Sequence, residues 1–210
     1  MHKKTIILLV FLLLIFSGLF YFFFLWTPEE SLENQNSPIL FNREDYIIQE
    51  QGNSKYLIVE KAGFSCKIPD DWTIEIEGSD IPEPSYWANL LSPDANMNST
   101  LNKTGCGITV MAEKNEERWQ KMSDNIKLIK NGQTEIENMK EGYTLNTLTI
   151  KNYEGLNWIS PEHEILGQTV GINFILDQDT LITVGATLLP NYKQQCQPIW
   201  DEFLQSIVIK

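Results

Sequence analysis

The hydropathy pattern divides the chain into an apolar block, a polar stretch, and a long region of short alternating segments around one helical period. Ile6 to Trp26 is apolar except at Ser17, Gly18 and Tyr21, and at about 1.5 Å rise per residue its 21 residues reach about 30 Å, the thickness of a bilayer core. It predicts one transmembrane helix over 6–26, preceded by a cytoplasmic N-terminus at 1–5. Thr27 to Ser54 is rich in Pro, Glu, Asn, Gln and Ser, with Ile39-Leu40-Phe41 and Tyr46-Ile47-Ile48 as its only apolar clusters. Residues 27–54 therefore read as a flexible polar linker and 55–210 as the folded domain.

In the domain, Tyr56 to Val59 and Phe64 to Ile68 read as strands joined by Lys61-Ala62-Gly63, and Trp72, Ile74 and Ile76 share one face of the next strand. Tyr86 to Leu91 and Gly107 to Met111 follow, separated by the polar stretch Ser92 to Gly105. The period changes at Asn115. Trp119, Met122, Ile126 and Ile129 recur at three- and four-residue steps, and Asn131-Gly132 supplies a stop, so one amphipathic helix is predicted. Strands return at Tyr143 to Ile150, Leu156 to Ser160, Leu166 to Leu176 and Leu181 to Thr187, with Asp177 to Thr180 as a hairpin turn that sets Leu176 against Leu181. At the C-terminus, Tyr192, Cys196, Trp200, Phe203 and Ile207 have helical spacing. Pro198 there either kinks a helix from Asn191 or opens a shorter one. Runs of strands, a helix, more strands and a terminal helix predict an α+β fold: a mostly antiparallel β-sheet flanked by the amphipathic helix and the C-terminal helix, an α/β/α sandwich.

The flanks of the apolar block orient it. His2, Lys3 and Lys4 precede it and Glu29, Glu30 and Glu33 follow, so the positive end stays cytoplasmic and the C-terminal domain is extracytoplasmic. The run ends in Phe22-Phe23-Phe24-Leu25-Trp26, which offers a signal peptidase no small residue, so the helix is expected to stay as a signal anchor. The chain carries 16 basic and 28 acidic side chains. Its net charge of −12, with no Lys/Arg cluster, disfavours nucleic acid and leaves the bilayer contacted through 6–26 alone. Of three cysteines, Cys66 and Cys106 lie in alternating apolar segments and are the expected disulfide; Cys196 reads as a small core side chain.

Gly63-Phe64-Ser65-Cys66-Lys67-Ile68-Pro69-Asp70-Asp71-Trp72, together with the element order and the ending Trp200-Asp201-Glu202-Phe203-Leu204-Gln205-Ser206-Ile207, resembles the PsbP-like α/β/α superfamily over Tyr56 to Ile209. The resemblance implies a non-enzymatic domain that binds or assembles with a partner. It transfers no function to a named residue, and this chain has a retained helix where bacterial lipoprotein members have a lipidated cysteine.

Chemical motifs are few. His163 is the only histidine of the domain, and where Glu162-His163-Glu164 would need a second histidine for a zinc-protease helix the chain has Gly167. Asp94-Ala95-Asn96-Met97-Asn98 imitates the start of a calcium loop but has Ser99 and Gly105 where Gly and Glu are required. No Gly-x-Ser-x-Gly or Cys-x-x-Cys is present. No catalytic residue, metal ligand or cofactor is therefore expected. Trp72, Trp87, Trp119, Trp158 and Trp200 are assigned mainly to the core, and Tyr86 with Trp87, after a proline-rich loop, are the residues expected at a partner-binding edge. The leading expectation is a membrane-anchored interaction or assembly domain for an envelope or membrane protein. A small-molecule or metal-sensing domain is the first alternative and a hydrolase-type enzyme the second.

Overall fold

The computed structural model describes residues 39–79, 85–96, 104–132, 142–176 and 179–210. The expected anchor and the first part of the linker lie outside the described residues, and no described helix is long and apolar enough to cross a membrane. Pro38 to Lys210 form one compact unit. Its strands are β1 (Ile39–Leu40), β2 (Tyr46–Gln51), β3 (Ser54–Val59), β4 (Phe64–Ile68), β5 (Thr73–Ser79), β6 (Ser85–Leu91) and β7 (Gly107–Lys114). Helix α1 (Glu116–Lys130) is followed by β8 (Thr144–Ile150), β9 (Tyr153–Ile159), β10 (Gln168–Ile175) and β11 (Thr180–Leu188), then α2 (Lys193–Ser206) and β12 (Val208–Ile209).

The fold is α+β, with two sheets and two helices. One sheet expected from the sequence is in fact two. The larger runs β5-β6-β7-β11-β10-β9-β8, with β1 paired to β7, and the smaller runs β12-β4-β3-β2; every pairing is antiparallel. Two-residue alternation gives the larger sheet an inner face carrying Leu90, Ile108, Val110, Val184, Ile172 and Phe174, all buried. These pack in one core with Leu57, Val59, Phe64 and Ile68 of the smaller sheet and with Cys196, Trp200, Phe203 and Ile207 at the C-terminus. The smaller sheet and α2 thus share the inner side.

Helix α1 takes the outer side, against β8, β9, β10 and β11. Asn115 caps it by accepting the Arg118 backbone N–H at 2.9 Å, Glu116 and Glu117 occupy its first turn, and Lys127 and Lys130 its last, the charge order that favours the helix dipole. Its Ile126 is buried, as are Leu156 and Leu181, whose side chains alternate onto that outer face.

Three expectations are corrected and one open alternative, at Pro198, is resolved. Folding begins near residue 39 rather than 55, because the presumed linker supplies two core side chains, Phe41 and Tyr46. The Tyr46 hydroxyl donates to the Tyr86 carbonyl at 2.7 Å and accepts the Ala112 N–H at 3.0 Å, which ties β2 to β6 and β7. In the β10–β11 hairpin Leu181 faces Ile175 rather than Leu176, whose N–H instead donates to Thr180 at 3.1 Å. The C-terminal helix starts before Pro198 and runs through it; Pro198 and Gln194, whose carbonyl loses its i+4 donor, are both exposed, so solvent can serve that carbonyl. The third correction is the disulfide. Cys66 lies on β4 of the smaller sheet and Cys106 just ahead of β7 of the larger, so they are not neighbours in one sheet. Cys106 is bonded to Cys196 of α2, with Cα atoms 5.5 Å apart, and Cys66 is a buried free thiol whose pKa is pushed up by desolvation.

Candidate functional site

On the outer face of the larger sheet, the pairing register lines side chains into cross-strand rows. One row is Trp87, Met111, Thr183, Asn173 and Leu156; the next is Asn89, Thr109, Gly185, Gly171 and Trp158. In the second row two adjacent strands carry glycine, so the sheet loses two neighbouring side chains and a depression opens. Trp158 fills half of it. Its indole lies over Gly171, where a Cβ would strike the ring, and its edge is 3.8 Å from the position of a Cβ on Gly185. Tyr143 supports the indole from the other side at a ring separation of 6.4 Å.

The unfilled half is a groove of about 420 Å³ with Trp87 and Met111 on one wall, Trp158 on the other, and Gly185 in its floor. Four strand spacings of about 4.8 Å separate the strands of the two tryptophans, and because Trp158 reaches across to β11 the open width covers about two of them, roughly 10 Å. Asn89, Thr109, Thr169, Thr183 and Thr187 supply the polar lining. Thr183 donates to Asn173 Oδ1 at 2.8 Å, Thr109 to Asn89 Oδ1 at 2.8 Å, and Asn89 Nδ2 to Glu77 at 2.9 Å. The Thr169 and Thr187 hydroxyls make no hydrogen bond among the described residues. None of the lining residues is ionisable.

The two aromatics expected at a partner edge are separated by their own adjacency. Consecutive strand residues point to opposite faces, so Trp87 enters the groove while Tyr86 turns inward against the core, its ring over Gly78. Trp158, assigned to the core from sequence, forms a wall of the groove instead. Its partner glycines Gly171 and Gly185 were legible only as weak strand positions, and without the register nothing placed them side by side.

His163 lies outside the groove, in an exposed loop. Its Nδ1 accepts the N–H groups of Ile165 at 3.1 Å and Leu166 at 3.2 Å, so the imidazole holds the turn between β9 and β10, and Glu162 pairs with Lys193 at 3.0 Å. The Asp94 segment closes a hairpin: Asp94 accepts Ser92 Oγ at 2.7 Å, and Thr104 donates to the Asp94 carbonyl at 2.7 Å. No group of three or more metal-ligating side chains occurs among the described residues. No protein-family model and no curated protein sequence matches this chain.

Proposed function

We propose that this chain is a membrane-anchored, extracytoplasmic interaction or assembly domain, which takes an uncharged apolar segment of another envelope or membrane protein into the groove between Trp87 and Trp158. One observation carries this reading: part of a sheet face left open beside α1, walled by aromatic side chains, floored by glycine and lined without a single ionisable group. Indole walls give a large apolar contact area at small entropic cost, and a glycine floor lets a partner side chain approach the backbone. With no charge to pair, the groove favours apolar over ionic partners, while the acidic remainder of the chain repels polyanions.

The apolar block at 6–26 is the anchor in this proposal, and the Cys106–Cys196 bond supports an oxidising, extracytoplasmic location for the domain. PsbP-like kinship belongs to the same proposal. It is supported by the placement of α1 on one face of the larger sheet and α2 on the other, not by any sequence match.

The test is partner capture in intact membranes by the full-length chain, with and without Trp87→Ala. The reading expects capture of a discrete protein to fall several-fold in the variant while its melting curve stays within a few degrees of the parent. Unchanged capture, or a variant that no longer folds, would assign Trp87 to structure alone.

A further inference from the structure

We infer that the free edge of β2 is a self-association surface, at which two copies of this chain pair antiparallel about Ile48 and join two four-stranded sheets into one of eight strands. This stands apart from the groove, which lies on the other sheet.

The β2–β3 hairpin fixes which backbone groups face outward. Gln51 pairs with Ser54 across a two-residue turn in which Gly52 has φ +63° and Asn53 a negative φ, the pattern of a type II′ turn. The turn's own hydrogen bond makes Gln51–Ser54 a bonded pair, and bonded and non-bonded pairs then alternate along the ladder. Gln51, Gln49 and Ile47 therefore point their N–H and C=O groups at β3, and Glu50, Ile48 and Tyr46 point theirs at the open edge. The Tyr46 N–H is already spent on the Arg43 carbonyl, which ends the free ladder at that point.

Edges of this kind are normally protected by lysine, proline, a bulge or a covering element. Among the described residues β2 carries the single charge of Glu50 and none of these: its register with β3 is continuous over six residues, it contains neither Lys nor Pro, and no described strand pairs with its free side. It also exposes two large apolar side chains, Ile47 at 41% and Ile48 at 47%.

The sequence of the strand fits its own copy. Pairing centred on Ile48 sets Ile48 against Ile48, Glu50 against Tyr46 and Ile47 against Gln49, so every opposed pair is free of like charge. The N–H and C=O of Ile48, the Glu50 N–H and the Tyr46 carbonyl are then bonded. Centring on Glu50 would oppose two carboxylates, which is unfavourable across a strand pair.

The test uses the full-length chain in membranes. In a bonded antiparallel pair the Cα atoms stand about 5.5 Å apart, within disulfide range. Ile48→Cys should form a disulfide dimer under mild oxidation. Glu50→Cys, whose copies lie four positions apart in this register, should form at least tenfold less. The native cysteines do not interfere, because Cys66 is buried and the other two are bonded. Ile48→Lys, read by sedimentation of the solubilised protein, should be monomeric and keep a cooperative melting transition. The inference is overturned if Ile48→Cys gives no dimer, if both cysteines link equally, if Ile48→Cys links to a protein of another mass, or if Ile48→Lys sediments as the parent does.

Discussion

The indole of Trp158 on β9 crosses Gly171 on β10 and stops 3.8 Å from where a side chain on Gly185 of β11 would begin. One glycine is thus occupied by its neighbour and the other is open, and that difference makes the groove.

The two glycines should respond differently to alanine. A Cβ at Gly171 meets the Trp158 ring, so Gly171→Ala must displace the indole and should cost about 1–3 kcal/mol, the usual cost of overpacking. At Gly185 the nearest atoms are the Val170 carbonyl at 3.5 Å and the indole at 3.8 Å, ordinary contacts, so Gly185→Ala should stay within about 1 kcal/mol of the parent. Urea unfolding checks both, and the tryptophan emission maximum should move only in Gly171→Ala.

The disulfide gives a second prediction. Cys106 and Cys196 are 90 positions apart, so in the chain-entropy view their bond removes about 4–5 kcal/mol of unfolded-state freedom. Changing both to alanine should lower stability by about 2–5 kcal/mol, measured by denaturant unfolding. Peptide mapping without reduction should recover one linked pair, with Cys66 alkylated only after denaturation.

Much of this fold was legible because it rests on local periodicity. The helical stripe ending at Ile129, the strand alternation around Ile108 and Val110, and the buried Cys196, Trp200, Phe203 and Ile207 each follow from a period of 3.6 or 2. What was not legible is long-range. Tyr46 sits in a polar-rich stretch, and its place in the core depends on a hydroxyl bonded to residues 40 and 66 positions away. The disulfide partner of Cys106 depends on which sheet each cysteine joins, and the groove on the register that brings Gly171 beside Gly185.

Tyr46 also predicts the alkaline limit of stability. Burial, more than any other effect, pushes its phenol up to about 12 from an ordinary 10. A folded pKa above the unfolded one means the contribution is complete below pH 10 and lost as pH rises towards 12, on the order of 3 kcal/mol in all. The buried Cys66 thiol, also shifted upward, adds a loss that begins near pH 9. Stability measured by urea unfolding should be flat from pH 7 to about 9 and fall steadily above. Tyr46→Phe should be less stable at pH 7 by about 1–3 kcal/mol, having lost both hydrogen bonds, and should fall less steeply above pH 10.

Anchoring by residues 6–26 predicts that alkaline carbonate leaves the full-length protein in the membrane pellet. It also predicts that protease added outside intact cells cleaves the acidic domain. Release into the supernatant would remove the anchor from the account.

The central claim, that the open half of the Trp87–Trp158 depression receives a partner segment, is tested most directly by filling it. With a photo-crosslinking residue at Met111 in the full-length protein in native membranes, the parent should give a discrete crosslinked product. Gly185→Leu, which places a side chain in the groove floor, should abolish that product and keep a cooperative melting transition. Equal crosslinking with the groove filled would contradict the account.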